Sequence, residues 1–159
     1  MVNPFIMGSD SAKDFLQIGL KILRENRSAL DAVEETCRAV ESNSEDHGVG
    51  LGGIPNLGGE VTLDASIMCG RTLNAGAVAH VRCVLHVISL ARKVMEDTPH
   101  VLLVGEGAEL LAEQYGFEKT KLLTPYAEEF YNAFKEKRLH LLGPEFDVDK
   151  GYLRADEQD

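Results

Sequence analysis

The sequence predicts an α+β fold in which amphipathic helices flank a small glycine-rich sheet. Apolar residues recur at helical spacing over residues 28–40 and 81–97, glycines are concentrated between Gly48 and Gly76, and short β-like pieces lie among them. The chain has 159 residues, of which 44% are hydrophobic and 26% charged. These values are ordinary for a globular protein, and the length fits one domain or part of one.

The charge balance excludes some classes of partner. There are 16 basic and 26 acidic side chains, for a formal net charge of −10. Such a chain is repelled by nucleic-acid phosphates and by anionic membranes, so we expect neither as a partner. No run approaches the roughly 20 apolar residues that a membrane helix needs, and residues 1–7 lack a signal-peptide pattern. The visible sequence therefore indicates a cytoplasmic protein, unless a signal peptide has been removed.

Two helices are predicted in the first quarter of the chain. The first runs from Ser9–Ser11 to Asn26. The second begins after Ser28, whose hydroxyl can accept from a free backbone N–H while Asp31 lies near the positive end of the helix dipole. Its spacing predicts a buried stripe on one face and a charged face opposite: Leu30, Val33, Cys37 and Val40 against Glu34, Glu35 and Arg38.

The middle of the chain is predicted to form the sheet. Strands are expected at residues 60–68 and 75–79, with a hairpin turn at 56–59. The small residues on these strands allow another backbone or a ligand to come close. A helix then follows from Val81 to Asp97 and ends before Pro99.

The remaining chain is predicted to contain one buried strand and two helices. The strand covers His100–Val104, and the helices cover residues 108–115 and 125–137. Residues 139–159 show no period, and we expect a flexible segment there.

Several patterns that could carry chemistry have a plainer interpretation. Gly105-Glu106-Gly107 has Leu110 where a dinucleotide site needs its third glycine, which favours a tight turn. His80, Cys83 and His86 would spread over roughly 120° of a helix, so they cannot all reach one metal ion. No metal or organic cofactor is therefore predicted.

Serine and cysteine chemistry is also unsupported by local motifs. No serine lies in Gly-x-Ser-x-Gly or Ser-x-x-Lys. Cys37, Cys69 and Cys83 cannot all pair with one another, so we expect reduced and mostly buried thiols. Cys69 could expose a thiol at a strand end, but a structural role is favoured because no local base or cation accompanies it. The residues alone thus predict an α+β domain without a self-sufficient catalytic apparatus.

Five segments resemble the α chain of the glycosylasparaginases. They are residues 28–34 (SALDAVE), 48–56 (GVGLGGIPN), 62–68 (TLDASIM), 75–79 (AGAVA) and 88–105 (ISLARKVMEDTPHVLLVG). In order and spacing the likeness extends over about residues 28–117.

This resemblance implies an N-terminal-nucleophile (Ntn) hydrolase with a four-layer αββα sandwich, of which residues 1–159 form the α-chain half. It implies a β chain cut from the same precursor, and a dimer of αβ units. The nucleophile is expected to be the first threonine of the β chain, whose α-amine, with an ordinary pKa near 8, serves as the base. No catalytic residue is therefore expected in this chain. The family occurs in lysosomes and in bacterial envelopes.

The resemblance also implies a role for Asp159 in autoprocessing. The family's α chain ends at an aspartate directly before the nucleophilic threonine, and Asp159 stands at the matching place, with Gln158 where the family usually has histidine. Residues 139–159 would then lead to the processing site. The alternatives are that the chain ends in aspartate by coincidence, or that it is a non-catalytic relative that is never cut.

Three residues are predicted to contact the substrate: Ser9, Asp10 and Gly48. The family's Ser-Thr-Trp-x-Phe pocket segment falls on residues 8–12, where Asp10 and Ala12 replace the two aromatic rings. Gly48 and Cys69 replace a serine and an aspartate of the family pattern. The expected substrate is a small asparagine derivative, N-acetylglucosaminyl-asparagine. Because a carboxylate replaces a stacking surface, L-asparagine and β-aspartyl peptides are the alternative.

Overall fold

A computed structural model describes residues 3–136 and confirms a mixed α and β architecture. One 3-10 turn, Asp10–Ala12, precedes the first helix. The helices of this part are α1 (Leu16–Arg24), α2 (Ala29–Glu41), α3 (Val87–Asp97), α4 (Glu106–Gln114) and α5 (Pro125–Lys135). Its strands are β1 (Leu63–Met68), β2 (Ala75–Val81) and β3 (Leu102–Val104).

The three strands form one sheet in the order β1-β2-β3. β1 is antiparallel to β2, with Ile67 opposite Gly76, and β3 is parallel to β2, with Leu103 opposite Val78. The chain crosses from β2 to β3 through α3, as a parallel pair requires. α3 covers one face of the sheet and buries Leu90, Ala91 and Val94 completely. The hydrophobic core therefore lies between α3 and this face.

The closest contact in that core is made by Gly76. A Cβ atom on Gly76 would lie 2.2 Å from the carbonyl oxygen of Ala91 and 2.5 Å from the backbone nitrogen of Met95. Both atoms belong to the backbone of α3, which cannot give way as a flexible side chain can. Only glycine at this position allows α3 to sit so close to β2.

The opposite face of the sheet is open within residues 3–136. Met68, Leu102 and Val104 are 56%, 53% and 53% exposed on that side. The prediction of a buried strand at His100–Val104 was therefore wrong: β3 is a three-residue edge strand with one uncovered face. The described residues contain a single three-stranded sheet, so the four-layer sandwich stays a prediction.

The start of α2 confirms the predicted cap. The Asp31 N–H donates to Ser28 Oγ at 3.0 Å, and the Ser28 N–H donates to Asp31 Oδ2 at 3.3 Å. The predicted stripe is wrong in part, because Val33 is 42% exposed. α2 also presents its charged face to α3, through these side-chain contacts: Arg38 Nη1 to Ser89 Oγ, Ser89 Oγ to Glu34, and Arg92 Nη1 to Asp31 and Glu34. A polar network thus accompanies the apolar contact that Leu30 and Cys37 make with the core.

Three predicted features differ most from the structure. The first helix begins at Leu16, because the chain at Ser9 enters only a 3-10 turn and the Ser9 side chain makes no cap bond. α3 begins at Val87 because β2 continues to Val81, where burying that side chain favours the strand. The turn at 56–59 exists but joins no two strands, since the β1–β2 hairpin closes at residues 69–74.

The predicted flexible segment 139–159 and Asp159 lie outside the described residues. In the part that is described, no helix is both long enough and apolar enough to cross a bilayer.

The Gly76 contact gives a direct test of the packing. We expect Gly76→Ala to lower the free energy of unfolding by about 3 kcal/mol, because the added methyl group meets helix backbone. Gly70→Ala is the matched control: it lies in the adjoining hairpin turn and a Cβ there meets nothing within 4 Å. Urea unfolding of both variants measures the difference. Equal midpoints would show that the close approach of α3 to Gly76 does not limit the side chain at this position.

Candidate functional site

Ser9 and Asp10 lie at the surface in the 3-10 turn before α1. The Asp10 side chain is 93% exposed and its Oδ1 lies 3.4 Å from Lys13 Nζ. An ion pair this exposed contributes little to stability. The Asp10 carboxylate is therefore held only loosely by the fold and is available to a ligand.

Gly48 lies in a glycine-rich turn, residues 46–53, that follows α2. The Asp46 carboxylate accepts from the Gly48 N–H at 2.8 Å, which fixes the start of the turn. Gly50 has φ +63° and packs on the end of α2, where a Cβ would lie 2.0 Å from the Glu41 carbonyl oxygen. The same carbonyl oxygen accepts from the Leu51 N–H at 2.8 Å. One side of the turn is thus tied to the backbone of α2.

The other side of the turn is tied to the start of α5. The Gly52 N–H donates to the Leu122 carbonyl oxygen at 2.8 Å. His47 Nδ1 lies 3.0 Å from the Gly52 carbonyl oxygen, and since a carbonyl can only accept, Nδ1 carries the proton. The His47 ring also stacks on Tyr126, with centroids 4.2 Å apart. The turn is therefore clamped between two helices.

The structure places Ser9 and Asp10 before α1 and Gly48 after α2, in two separate segments. Among residues 3–136, no hydrogen bond or ion pair links Ser9 or Asp10 to Gly48. Both segments adjoin α2, since the 3-10 turn contacts α2 and the glycine-rich turn packs on its end. Their role in substrate binding stays a prediction. What they offer chemically is one carboxylate, one hydroxyl and backbone groups, which suit binding rather than nucleophilic attack.

Sequence reasoning missed Glu41, the residue that joins this turn to the core. Its side chain is 8% exposed, and Oε1 accepts from the Ile88 N–H at 2.9 Å. Oε2 lies 3.3 Å from His86 Nδ1. Burial raises the pKa of Glu41 to about 7, and burial lowers the pKa of His86. Glu41 lies four residues after Cys37 and eleven after Leu30, so its place on the predicted buried face was the available signal.

His80, Cys83 and His86 were expected on one helix, and this expectation was wrong. His80 lies on β2, Cys83 lies in the loop that follows, and His86 lies just before α3. In the part of the chain that the structure describes, no three His, Cys, Asp or Glu side chains are placed to hold a metal ion. Gly105 has φ +54° and starts α4 directly after β3, which confirms a tight turn at Gly105-Glu106-Gly107.

All three cysteines have free thiols, as predicted, but the expectation of mostly buried thiols was wrong, because Cys37 and Cys69 are half-buried and Cys83 is exposed. Cys69 lies in the β1–β2 turn. Hydrogen bonds from the Thr72 hydroxyl and from the backbone of Thr72 and Arg71 lower the pKa of the Cys69 thiol. A thiolate there can accept the turn's hydrogen bonds as the carboxylate of the family pattern would, so a structural role fits.

Comparison with known proteins identifies the class. The sequence profile of the asparaginase family Asparaginase_2 matches residues 7–147. The plant-type L-asparaginase of Pyrococcus horikoshii is 45% identical over 80% of this chain and 41% of its own length. The isoaspartyl peptidase/L-asparaginase of Mus musculus is 46% identical over 67% of this chain and 33% of its own length. The N(4)-(beta-N-acetylglucosaminyl)-L-asparaginase of Elizabethkingia miricola is 48% identical over 68% of this chain and 32% of its own length.

These relatives are amidohydrolases, and the chain belongs to the type 2 asparaginase family. The resemblance inferred from the five segments is confirmed at the level of the family. The particular member is unresolved, because relatives of similar identity carry three different names. The chain spans about a third to two fifths of the length of the relatives it matches.

The clamp on the glycine-rich turn can be tested at Tyr126. We expect Tyr126→Ala to lower the free energy of unfolding by about 1 kcal/mol beyond the lost area, because the stack on His47 is removed. Tyr126→Phe keeps the ring and should match the wild type. Urea unfolding, together with protease cleavage within residues 46–53, measures the effect. Equal cleavage of the two variants would contradict the proposed clamp.

Proposed function

We propose that this chain is the α subunit of an autoprocessed amidohydrolase that cleaves the side-chain amide of an asparagine derivative and releases aspartate. N-acetylglucosaminyl-asparagine is the proposed substrate. The observation that carries the proposal is the glycine-rich turn: residues 48–56 match the glycosylasparaginase pattern, and the turn is held at both ends by backbone hydrogen bonds. The Elizabethkingia miricola relative, 48% identical, carries the corresponding name.

In this proposal the nucleophile comes from the β chain. The hydroxyl of its first threonine attacks the amide carbon, and the threonine α-amine takes the hydroxyl proton and passes it to the leaving nitrogen. Water then hydrolyses the threonine ester and releases aspartate. Hydrogen-bond donors aimed at the developing oxyanion lower both barriers. This chain would supply one wall of the pocket, with Ser9, Asp10 and Gly48 facing the substrate.

The open face of the sheet supports a β chain as partner. Met68, Leu102 and Val104 expose apolar area on that face. Two packed sheets lie about 10 Å apart, with such side chains interdigitating between them. A sheet of the β chain on this face would complete the four-layer sandwich, and two αβ units would form the proposed dimer. Autoprocessing next to Asp159 belongs to the same proposal.

A second candidate is an L-asparaginase or β-aspartyl peptidase of the same family. The observation that favours it is the 3-10 turn, where Asp10 exposes a carboxylate and Ala12 offers only a methyl group. That surface suits an amine better than a sugar ring. The Pyrococcus horikoshii and Mus musculus relatives carry the corresponding names. A non-catalytic relative is the third possibility, and a precursor that stays uncut in denaturing electrophoresis would identify it.

Aspartate release from three substrates tests the proposal. The processed protein, with both chains, is assayed on N-acetylglucosaminyl-asparagine, L-asparagine and a β-aspartyl dipeptide. We expect kcat/KM for the first to exceed the others by about tenfold or more, which corresponds to about 1.4 kcal/mol of transition-state binding. The reverse order would establish the second candidate. No release from any of them would overturn the proposed function.

Asp10 can be tested separately from the nucleophile. We expect Asp10→Asn to raise KM about tenfold with kcat nearly unchanged, because a charge-assisted hydrogen bond to the substrate amine is lost. Asp14→Asn is the matched control, since Asp14 is exposed four residues away on the same segment. Steady-state kinetics decides the matter, and equal KM values for the two variants would remove Asp10 from the site.

A further inference from the structure

The buried carboxyl of Glu41 lies where α2, the start of α3 and the glycine-rich turn meet. It is the last residue of α2, and its side chain reaches the first turn of α3, where Oε1 accepts from the Ile88 N–H at 2.9 Å. Oε2 faces His86 Nδ1 at 3.3 Å. This acceptor satisfies a backbone donor that the start of a helix otherwise leaves free. The side chain of Glu41 thus ties α2 to α3.

The backbone of the same residue holds the glycine-rich turn. The Glu41 carbonyl oxygen accepts from the Leu51 N–H at 2.8 Å, and Gly50 packs against it so closely that no Cβ fits. A movement of Glu41 is therefore passed to the turn that carries Gly48. Glu34 and Glu35, the other glutamates of α2, are half-buried, and neither has a described hydrogen bond to the glycine-rich turn.

We propose that Glu41 is a positioning residue: it locks the glycine-rich turn to the start of α3, and its protonation state controls how tightly the turn binds substrate. This inference rests on the proposed function for the identity of the ligand. Glu41 does not touch the reacting atoms, and it acts through the position of the turn.

The charged groups near Glu41 lie on its own helix, α2, and at the start of α3. Arg38 and Glu34 lie on α2, with opposite effects on the carboxyl, and Cys37 is a neighbour on the same helix. From the α3 side, His86 faces the carboxyl, and Glu35 and Arg38 act on His86 in turn. The Ile88 N–H and Arg38 both favour the carboxylate, but burial dominates and raises the pKa of Glu41 to about 7.

The two protonation states differ in the contact with His86. Because burial lowers the pKa of His86, the imidazole is neutral near pH 7. Protonated Glu41 can donate from Oε2 to Nδ1, and a neutral pair suits a dry environment. Ionised Glu41 leaves a negative charge in this buried site, and the Ile88 N–H and Arg38 compensate for it only in part. Since the pKa is raised on folding from an ordinary 4.5 to about 7, the stability contributed by Glu41 is fully present below pH 4.5 and is lost as the pH rises through 7.

Glu41→Gln separates charge from shape. Glutamine keeps an acceptor for the Ile88 N–H and offers an amide donor to His86, so it mimics the protonated state at every pH. In the processed two-chain protein, we expect the wild-type KM to rise severalfold between pH 6 and pH 8. In Glu41→Gln that rise should be absent, while the pH dependence of kcat follows the wild type. Glu45→Gln removes an exposed charge close to the turn, and it should keep the wild-type profile.

Two further measurements distinguish the possible failures. We expect the melting temperature of the ligand-free wild type to fall, relative to Glu41→Gln, as the pH rises from 5 to 8. A KM profile for Glu41→Gln that equals the wild type would overturn the role of Glu41 and leave the proposed function intact. If the wild type releases no aspartate from any substrate, the proposed function fails. In that case, the same pH dependence of the melting temperature in the wild type and in Glu41→Gln would also overturn the proposed role of Glu41 in holding the turn to α3.

Discussion

The close approach of α3 to β2 at Gly76 is the constraint on which the rest of the structure depends. Backbone atoms of Ala91 and Met95 occupy the space where any other side chain would begin. This contact sets how deeply α3 sits on the sheet, and so it sets where the first turn of α3 lies. Glu41 reaches that turn, and the glycine-rich turn is attached to Glu41. A packing contact in the core thus determines the position of a loop at the surface.

Several side chains differ from the family pattern that the sequence otherwise resembles. Gly48 has no hydroxyl to offer a substrate, but its N–H is fixed by Asp46 and its neighbours are held by backbone hydrogen bonds. Cys69 accepts turn hydrogen bonds that an aspartate can also accept. The aromatic rings expected near Asp10 are the largest loss, since nothing in the described turn replaces their surface. We therefore expect the replacements near Asp10 to affect the pocket more than the scaffold.

The helices and strands were predicted from the sequence more accurately than the burial and contacts of their side chains. The Ser28 cap of α2 and the presence of strands near residues 63–68 and 75–81 follow from local rules, because capping and small-residue strands depend on neighbours in sequence. The exposure of β3 could not be read locally, since an apolar run looks the same whether one face or both faces are covered. The role of Glu41 was hidden for a similar reason. Its partners Ile88 and His86 lie 47 and 45 residues away, and charged residues are seldom buried.

In our proposal, the glycine-rich turn of this chain forms a wall of a site for asparagine derivatives. A crystal structure of the full protein soaked with L-aspartate, the expected product, would show whether it does. We expect aspartate bound with a polar atom within hydrogen-bonding distance of the turn at residues 46–53, and with its amine facing Asp10. Aspartate bound elsewhere, with no contact to residues 46–53, would overturn the proposed role of the turn.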